Sequence, residues 1–303
     1  MKTRMTGPGA RAGVADRVAG TARIVEGPLP PDAAPHPGPR ASHGDRMKGQ
    51  VVVLLPALNE VSAIGQVIDR IPVAGLRSRG YDVAVWVVDG QSTDGTMDVA
   101  RARGASTFVQ TGTGKGNGMR QALDSLLDRS RPGVTNDRVF VMLDADGTYP
   151  AEEIPRFIEA LESGEDVVLG SRLSGSIADG AISDMNRLGN RILSALASLL
   201  FRVRVTDVCT GMWGFREDAL RRFGLVAQGF DLEADLFAAV CERRARLREL
   251  PISYERRIGD PKLVPLRTGI LIAWRLLVRR LNPPRREARR NLPPSTATRE
   301  EPA

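Results

Sequence analysis

Two aspartates, Asp144 and Asp146, stand two residues apart directly after the apolar run at 139–143. In the turn after a buried strand, both carboxylates can face a hard cation, which prefers oxygen ligands and keeps free positions for substrate phosphates. The same Asp-Ala-Asp-Gly sequence also suits a plain turn, because Asp and Gly favour turns for backbone reasons. The spacing therefore predicts either a cation site for phosphate chemistry or a simple turn.

Histidine chemistry is excluded from most of the chain. The two histidines, His36 and His43, lie in a segment rich in Pro and Gly, and no imidazole follows residue 43. A Ser-His-Asp triad, an HExxH zinc site and a histidine general base are therefore ruled out beyond that point. The two cysteines, Cys209 and Cys241, are too few for a disulfide scaffold and indicate a reducing compartment. Any chemistry must use carboxylates, lysine, arginine or a hard metal.

Short apolar runs alternate with segments of helical spacing in the first two thirds of the chain. The pattern predicts strands at 51–55, 83–88, 108–109, 139–143 and 167–169, and helices at 61–71, 97–103, 118–127 and 154–161. Such alternation is typical of an α/β fold with a mostly parallel sheet covered on both faces. In these sheets the ligand binds beyond the carboxyl ends of the strands. We therefore expect the polar residues there to converge on one crevice: Asn59, Glu60, Asp89, Asp94, Asp144, Asp146 and Arg172.

The 303 residues divide into a folded domain and two terminal segments. Residues 1–48 are rich in Pro, Gly, Ala and Arg without an apolar period, which predicts a disordered leader. Residues 283–303 contain two Pro-Pro pairs and a run of arginines, which predicts a disordered basic tail. The folded domain is expected at 49–282. No run reaches the roughly 18 apolar residues of a spanning helix, and no apolar secretory segment is present, so we expect a cytoplasmic protein.

Several short segments occur together in the order of a known family. The segment Pro-Ala-Leu-Asn-Glu at 56–60, the segment 89–96 and the pair at 144–146 resemble the family 2 glycosyltransferases with the GT-A fold. Later segments resemble the dolichyl- and polyprenyl-phosphate sugar transferases: 170–172, Asp207, 210–211, Arg216, 251–254 and 257–263. The resemblance covers roughly residues 50–282. It implies a Rossmann-like, mostly parallel sheet flanked by helices and the activity of an inverting glycosyltransferase.

The resemblance also implies roles for individual residues. The base and ribose of a nucleotide sugar are expected at Asn59, Glu60 and Asp89. Further residues expected to bind the donor are Pro56, Ala57, Lys115 and Asp144. Mg²⁺ or Mn²⁺ bridging the donor phosphates is expected at Asp144 and Asp146, with Thr148 as a further metal contact. Arg257 and Lys262 are expected to close over those phosphates, and Arg172 and Arg187 to face an acceptor phosphate. The chain departs from the family pattern at Gly90, Thr148 and Pro261, where Asp, Gln and Ser are common.

Two of these residues have a simpler interpretation. Glu60 can stabilise the first turn of a helix, where a carboxylate interacts favourably with the helix dipole. Lys115 lies in the sequence Gly-Thr-Gly-Lys-Gly at 112–116, which lacks the spacing and the Ser or Thr of a P-loop. We therefore predict a flexible loop that carries Lys115 near the donor.

Two later segments, 188–201 and 269–281, are apolar over much of their predicted helical surface. The first has Arg187, Arg191 and Arg202 on the rest of that surface, and the second has Arg275, Arg279 and Arg280. This pattern suits helices that lie in the interface of an anionic membrane, although helices packed on the core show it too. Binding of nucleic acid is not expected, because three Tyr and three Trp leave few stacking platforms and no recognition motif occurs.

The sequence therefore predicts a metal-dependent, inverting glycosyltransferase that moves a sugar from a UDP- or GDP-sugar to a polyprenyl or dolichyl phosphate at the cytoplasmic face of the membrane. A second possibility is a hydroxyl acceptor on a soluble metabolite. That reaction needs a base, for which Asp231, Glu233 and Asp235 are candidates. A phosphate acceptor, with a second pKa of about 6, needs little help from a base. A third possibility is a non-catalytic nucleotide-sugar-binding or membrane scaffold protein.

Overall fold

One mixed sheet organises the computed structural model, which describes residues 23–25, 48–128, 138–259 and 265–284. Its strands are β1 (Arg23–Val25), β2 (Gly49–Ala57), β3 (Tyr81–Asp89), β4 (Ser106–Val109), β5 (Arg138–Met142), β6 (Val167–Ile177), β7 (Trp213–Arg216) and β8 (Leu247–Tyr254). The helices are α1 (Val61–Asp69), α2 (Val73–Ser78), α3 (Thr96–Ala102), α4 (Lys115–Leu126), α5 (Ile154–Glu162), α6 (Asp184–Phe201), α7 (Glu217–Arg222), α8 (Leu232–Glu242) and α9 (Pro265–Leu281).

The strand order is β1-β4-β3-β2-β5-β7-β6-β8. The four successive strands β4, β3, β2 and β5 are parallel to one another, and β6 pairs in parallel with β8. Strand β7 is antiparallel to both β5 and β6, and β1 is antiparallel to β4. The predicted α/β fold with a mostly parallel sheet flanked by helices is confirmed.

Two hydrophobic cores cover the two faces of the sheet. In β2, Val52 and Leu54 face one core, while Val51 and Val53 face the other. Because successive side chains of a strand point to opposite faces, a strand buried on both sides needs a continuous apolar run. Burial of each such side chain contributes about 1.5–3 kcal/mol. This packing explains why the sequence pattern located β2, β3 and β5 correctly.

The register of the central strands brings their polar carboxyl ends together. Ala57 at the end of β2 pairs with Asp89 at the end of β3, and Leu54 pairs with Met142 at the end of β5. The chain then continues into Asp144 and Asp146, beside the Pro56–Ala57 segment. The strand-end residues of three strands therefore meet at one edge of the sheet, as predicted.

Some elements carry no clear signal in the sequence. Strand β1 falls within the segment 1–48 and pairs with β4, whereas the other residues of 1–47 lie outside the described part of the chain. Strand β7 is only four residues long. Helix α8 is buried nearly all round, so it lacks an amphipathic period. Within the described ranges, no helix combines the length and apolarity required to cross a membrane.

Candidate active site

A cleft of about 1430 Å³ opens at the carboxyl ends of β2, β3 and β5. Sequence analysis predicted many of the side chains that line it: Pro56, Ala57, Glu60, Lys115, Asp144, Asp146, Arg172 and Arg257. They come from segments as far apart as β2 and the residues after β8. The sheet brings them together because they lie at the ends of strands, in the segments that follow strands, in β6 or at the start of α4.

Asp144 is paired with a lysine at the floor of the cleft. Lys115 at the start of α4 donates hydrogen bonds to Asp144 Oδ1 at 2.6 Å and to Glu233 Oε1 at 2.5 Å. Burial lowers the pKa of Lys115, but the charges of Asp144 and Glu233 outweigh this effect and raise that pKa above its ordinary value. Lys115 is therefore a charged ammonium group, and the prediction that it lies in a loop is corrected to the first turn of α4.

Asp146 is held from two sides. Its Oδ1 accepts hydrogen bonds from the Thr148 hydroxyl at 2.6 Å and from the Thr148 N–H at 3.1 Å. Its other oxygen forms an ion pair with Arg257. Thr148 is buried and orients the Asp146 carboxylate, so in this conformation it acts on the site through Asp146. Direct contact of Thr148 with a metal stays a prediction.

Arg257 joins two carboxylates across the cleft, because it also forms an ion pair with Glu60. The backbone around Arg257 is fixed against the turn after β5. The Ile258 N–H donates to the Asp146 carbonyl at 2.9 Å, and a Cβ at Gly147 would lie 2.9 Å from Ile258 Cδ1. Arg257 is therefore positioned beside both acidic groups. Lys262, its predicted companion, lies outside the described residues.

Asn59 and Asp89 lie behind the wall of the cleft and do not line it. Their side chains hold the loops next to it in place. Asn59 adopts a positive φ of 50°, and its Oδ1 accepts the Thr93 N–H at 2.9 Å. Asp89 is buried and accepts the Ser92 N–H at 3.0 Å. The Asn59 bond joins the loops after β2 and β3, and the Asp89 bond closes the turn that follows β3. Their predicted contacts with the base and ribose stay predictions.

The other side of the cleft contains a buried arginine. Arg172 donates from Nε and one terminal nitrogen to the two oxygens of Asp207, at 2.7 and 2.8 Å, and its guanidinium lies over the Tyr254 ring at 5.2 Å from the centroid. Its charge is therefore compensated by a carboxylate. Arg187 on α6 does not line the cleft, although its helix neighbours Asn186 and Asn190 do. The predicted contact of Arg187 with an acceptor phosphate stays a prediction.

Arg256 is a site residue that the sequence did not predict. Arg256 lines the cleft and donates from Nε to the Asp179 carbonyl at 2.5 Å. In the part of the chain that the structure describes, no carboxylate pairs with Arg256, in contrast to Lys115, Arg172 and Arg257. The Glu-Arg-Arg run at 255–257 was a signal for a second cation beside the predicted Arg257.

The acidic pair fits a divalent cation that also binds its substrate. No cluster of three or more His, Cys, Asp or Glu side chains forms a metal centre among the described residues. Asp144 and Asp146 alone provide carboxylates at the strand end, and each already attracts a cationic side chain. Mg²⁺ is typically bound by one or two carboxylates and takes its remaining ligands from water and phosphate. This donor set therefore suits a cation that arrives with a diphosphate.

The cleft continues between two apolar helices. Helices α6 and α9 pack against each other and contribute Met185, Ile192, Leu193, Leu266 and Ile270 to its lining. Beyond the cleft the same helices expose further large apolar side chains: Leu188, Leu199, Trp274, Leu277 and Leu281. Trp274 and Leu281 are 64% and 81% exposed, respectively. We call these exposed large apolar side chains of the two helices the apolar face.

Of the three α9 arginines predicted to face a membrane, Arg280 is exposed, but Arg275 and Arg279 are not. Arg279 is only 1% exposed and contacts Glu242 at 2.8 Å and Asp235 at 3.0 Å. Arg275 contacts Asp231 at 2.7 Å. The prediction that α9 presents these two arginines to a membrane is therefore wrong, because they satisfy buried carboxylates of α8 and its N-terminus.

The mixed sheet, the two aspartates after the central strand and the adjoining cleft are the features predicted for a glycosyltransferase of the GT-A fold. Residues 52–224 match the model of the family described as glycosyl transferase family 2, and the chain belongs to that family. Two relatives come from Haloferax volcanii. Glycosyltransferase AglJ is 32% identical over 73% of this chain and 69% of its own length, and a dolichyl-phosphate hexose transferase is 33% identical over 73% and 90%.

A solved structure has the same fold at lower sequence identity. It is glucosyl-3-phosphoglycerate synthase from Mycobacterium tuberculosis, in complex with Mn²⁺, UDP and glucosyl-3-phosphoglycerate. The TM-score is 0.57 at 21% identity, over 78% of this chain and 81% of that one. The shared fold confirms the predicted GT-A architecture.

Proposed function

We propose that this glycosyltransferase moves a sugar, with inversion, from a UDP- or GDP-sugar to a polyprenyl or dolichyl phosphate at the cytoplasmic membrane face, with the help of Mg²⁺ or Mn²⁺. One observation carries the proposal. The cleft that contains Asp144 and Asp146 continues directly into the exposed apolar face of α6 and α9. A single cavity thus offers a phosphate site at one end and an apolar path at the other.

Donor binding is assigned to the acidic floor of the cleft. Asp144 and Asp146 would hold the cation, which supplies positive charge to the departing nucleoside diphosphate. Lys115 and Arg257 already contact these two aspartates, so their donors lie where phosphate oxygens would be held. The complex of the mycobacterial synthase with Mn²⁺ and UDP supports this assignment by analogy of fold.

Acceptor binding is assigned to the side of Arg172 and Arg256. Arg172 is neutralised by Asp207, whereas Arg256 has a charge that no described carboxylate balances, so Arg256 suits an anionic headgroup. The apolar lining from Met185 to Ile270 suits the attached chain of isoprene units. A phosphate monoester is largely dianionic at neutral pH, since its second pKa is about 6, and it can attack without a base. The name of the dolichyl-phosphate hexose transferase supports an acceptor of this class.

Contact with the membrane is assigned to the apolar face rather than to the arginines of α9. Each large apolar side chain that leaves water contributes about 1.5–3 kcal/mol. Trp274 is a suitable anchor, because tryptophan favours the boundary between water and hydrocarbon. Peripheral binding through α6 and α9 would place the open end of the cleft at the lipid surface.

A second candidate is transfer to a hydroxyl of a soluble phosphorylated metabolite. Glu233 favours this second candidate, because its carboxylate lies in the cleft beside Lys115. Burial raises the pKa of Glu233, and a raised pKa suits a carboxylate that acts as a general base. Asp231 and Asp235 are unsuitable, since arginines of α9 and loop N–H groups already occupy them. The mycobacterial glucosyl-3-phosphoglycerate synthase, solved with bound glucosyl-3-phosphoglycerate, fits this alternative.

The experiment that tests the proposal compares the two acceptor classes. The purified chain is incubated with a panel of UDP- and GDP-sugars, Mg²⁺ or Mn²⁺, and either undecaprenyl phosphate, dolichyl phosphate or 3-phosphoglycerate. Mass spectrometry identifies the product and NMR determines its anomeric configuration. We expect an inverted glycosyl lipid phosphate. A glycosylated phosphoglycerate with no lipid product would overturn the proposal in favour of the second candidate.

A further inference from the structure

One chain of contacts leads from α9 to the floor of the cleft. It begins at Arg275, whose Nε donates to Asp231 Oδ2 at 2.7 Å. Asp231 is buried and stands immediately before α8, and its other oxygen accepts the Gly229 N–H at 2.9 Å. The Arg275 guanidinium therefore holds the end of the loop 227–231 through a carboxylate.

That loop is the surface on which the backbone around Lys115 lies. The Gly116 N–H donates to the Gly229 carbonyl at 3.1 Å, and the Asn117 N–H donates to the Gln228 carbonyl at 2.9 Å. The fit is close, because a Cβ at Gly114 would lie 2.2 Å from the Gln228 oxygen. The glycines on both sides of Lys115 therefore let its backbone contact the loop directly.

Lys115 completes the chain at the acidic pair, where its ammonium group lies 2.6 Å from Asp144 and 2.5 Å from Glu233. A shift of the loop would move the Lys115 backbone and therefore change the position of its charge relative to Asp144. Arg279 fixes the other end of the same loop through Asp235, whose Oδ2 accepts the Val226 and Ala227 N–H groups. Helix α9 thus holds the loop at two points.

We propose that Arg275 is a positioning residue for the donor site, which acts through Asp231 and the loop 227–231 to hold Lys115 beside Asp144. The proposal rests on the proposed function only in assigning nucleotide phosphates to the Lys115 side of the cleft. It gives α9 a second role, because the helix whose outer surface carries the apolar face also carries on its inner side the group that aligns the donor lysine.

The test measures affinity rather than turnover. Binding of UDP and of GDP in the presence of Mn²⁺ is measured by calorimetry for the full chain and for Arg275→Met, together with the melting temperature of each. We expect Arg275→Met to weaken binding of the preferred nucleotide about tenfold, the loss that accompanies one weakened charge-assisted contact. Arg275→Lys should restore part of the affinity. Arg280→Met is the matched control, because Arg280 lies on the same helix and donates to the Leu200 carbonyl rather than to Asp231.

A double-substitution cycle distinguishes positioning from general destabilisation. If Arg275 acts through Lys115, then Arg275→Met has little further effect on affinity in a Lys115→Met background. An equal loss in both backgrounds, or an affinity for Arg275→Met that matches Arg280→Met, would overturn the inference. Should Arg275→Met not fold, Asp231→Asn replaces it, since the amide oxygen can still accept from Gly229 while the charge is removed. Failure of the unsubstituted chain to bind either nucleotide would instead count against the proposed function.

Discussion

Gly211 lies so close to Asp144 that a Cβ atom at position 211 would be 2.3 Å from Asp144 Oδ2. The Gly211 N–H also donates to the Tyr149 hydroxyl at 2.6 Å, which fixes the backbone at this point. The absence of a side chain at residue 211 therefore determines where the first aspartate of the acidic pair can sit. The Thr-Gly segment at 210–211 matches the family, and this contact gives a physical reason for the glycine.

Gly211→Ala is expected to displace the Asp144 carboxylate and to weaken Mn²⁺ binding in the presence of nucleotide. The methyl group overlaps Asp144 Oδ2, and moving that carboxylate away would disturb the contact of its other oxygen, Oδ1, with Lys115. Calorimetric titration of Mn²⁺ with UDP or GDP measures the effect. Gly189→Ala, on α6, is the control, because nothing lies within 4 Å of a Cβ there. Equal Mn²⁺ affinity in the two variants would show that the close approach of Gly211 to Asp144 does not affect the metal site.

Asp146→Asn is expected to reduce transfer by orders of magnitude without loss of the fold. The amide keeps the shape and can still accept from Thr148, but it removes a charge from the proposed cation site and from the ion pair with Arg257. Turnover at saturating Mg²⁺ or Mn²⁺ and the circular dichroism spectrum are the measurements. Normal turnover of Asp146→Asn in the presence of a chelator would contradict the metal role.

Asp207→Asn is expected to destabilise the fold by about 3–5 kcal/mol, because it leaves the buried Arg172 charge without its partner. Glu159→Gln is the matched control. It removes one carboxylate from the solvent-exposed pair with Arg79, which is worth about 1 kcal/mol or less. Urea denaturation gives both free energies of unfolding. A midpoint for Asp207→Asn as high as that of the control would contradict the structural role of the Arg172–Asp207 pair.

Trp274→Ser combined with Leu281→Ser is expected to reduce binding to vesicles of phosphatidylglycerol and phosphatidylethanolamine at least tenfold. Both side chains belong to the exposed apolar face and neither lines the cleft, so nucleotide affinity should stay unchanged. Each contributes about 1.5–3 kcal/mol if it leaves water at the membrane. Co-sedimentation measures the loss, with Val61→Ser on α1 as an exposed apolar control. Undiminished sedimentation of the double variant would place the membrane contact elsewhere.

Arg256→Ala and Glu233→Gln are expected to separate the two acceptor classes. With a lipid phosphate as acceptor, Arg256→Ala should raise the acceptor KM and lower kcat/KM. The loss of transition-state stabilisation should be about 1.5–3 kcal/mol, the contribution of a charge-assisted hydrogen bond. Arg187→Ala, measured in the same assay, tests the prediction that Arg187 contacts the acceptor phosphate. Glu233→Gln should retain more activity than Arg256→Ala. The opposite order, with a rate loss of about 10²–10⁴ in Glu233→Gln, is the signature of a missing general base and would favour the hydroxyl acceptor.

The central strands and the acidic pair were predictable from local sequence. A run such as 51–55 must be buried on both faces, and a carboxylate directly after a parallel strand must lie at the ligand edge of the sheet. These rules depend on neighbouring residues only, so they can be applied to the sequence alone. They located β2, β3 and β5 and predicted that Glu60, Asp144 and Asp146 lie in one cleft. The predicted membrane role for residues 269–281 used the same kind of rule, and it found the helix and its apolar face.

Only the tertiary structure decided which partner each charged side chain takes. The sequence pattern predicted Arg275 and Arg279 as surface arginines, but they pair with carboxylates that are 44 and 37 residues away in the chain. Arg256 and Arg257 are adjacent, yet one contacts the Asp179 carbonyl and the other the acidic pair. A charged group is placed by the nearest opposite charge in space, because an unpaired charge is costly to bury. That distance depends on how helices and strands pack, which composition and spacing do not encode locally.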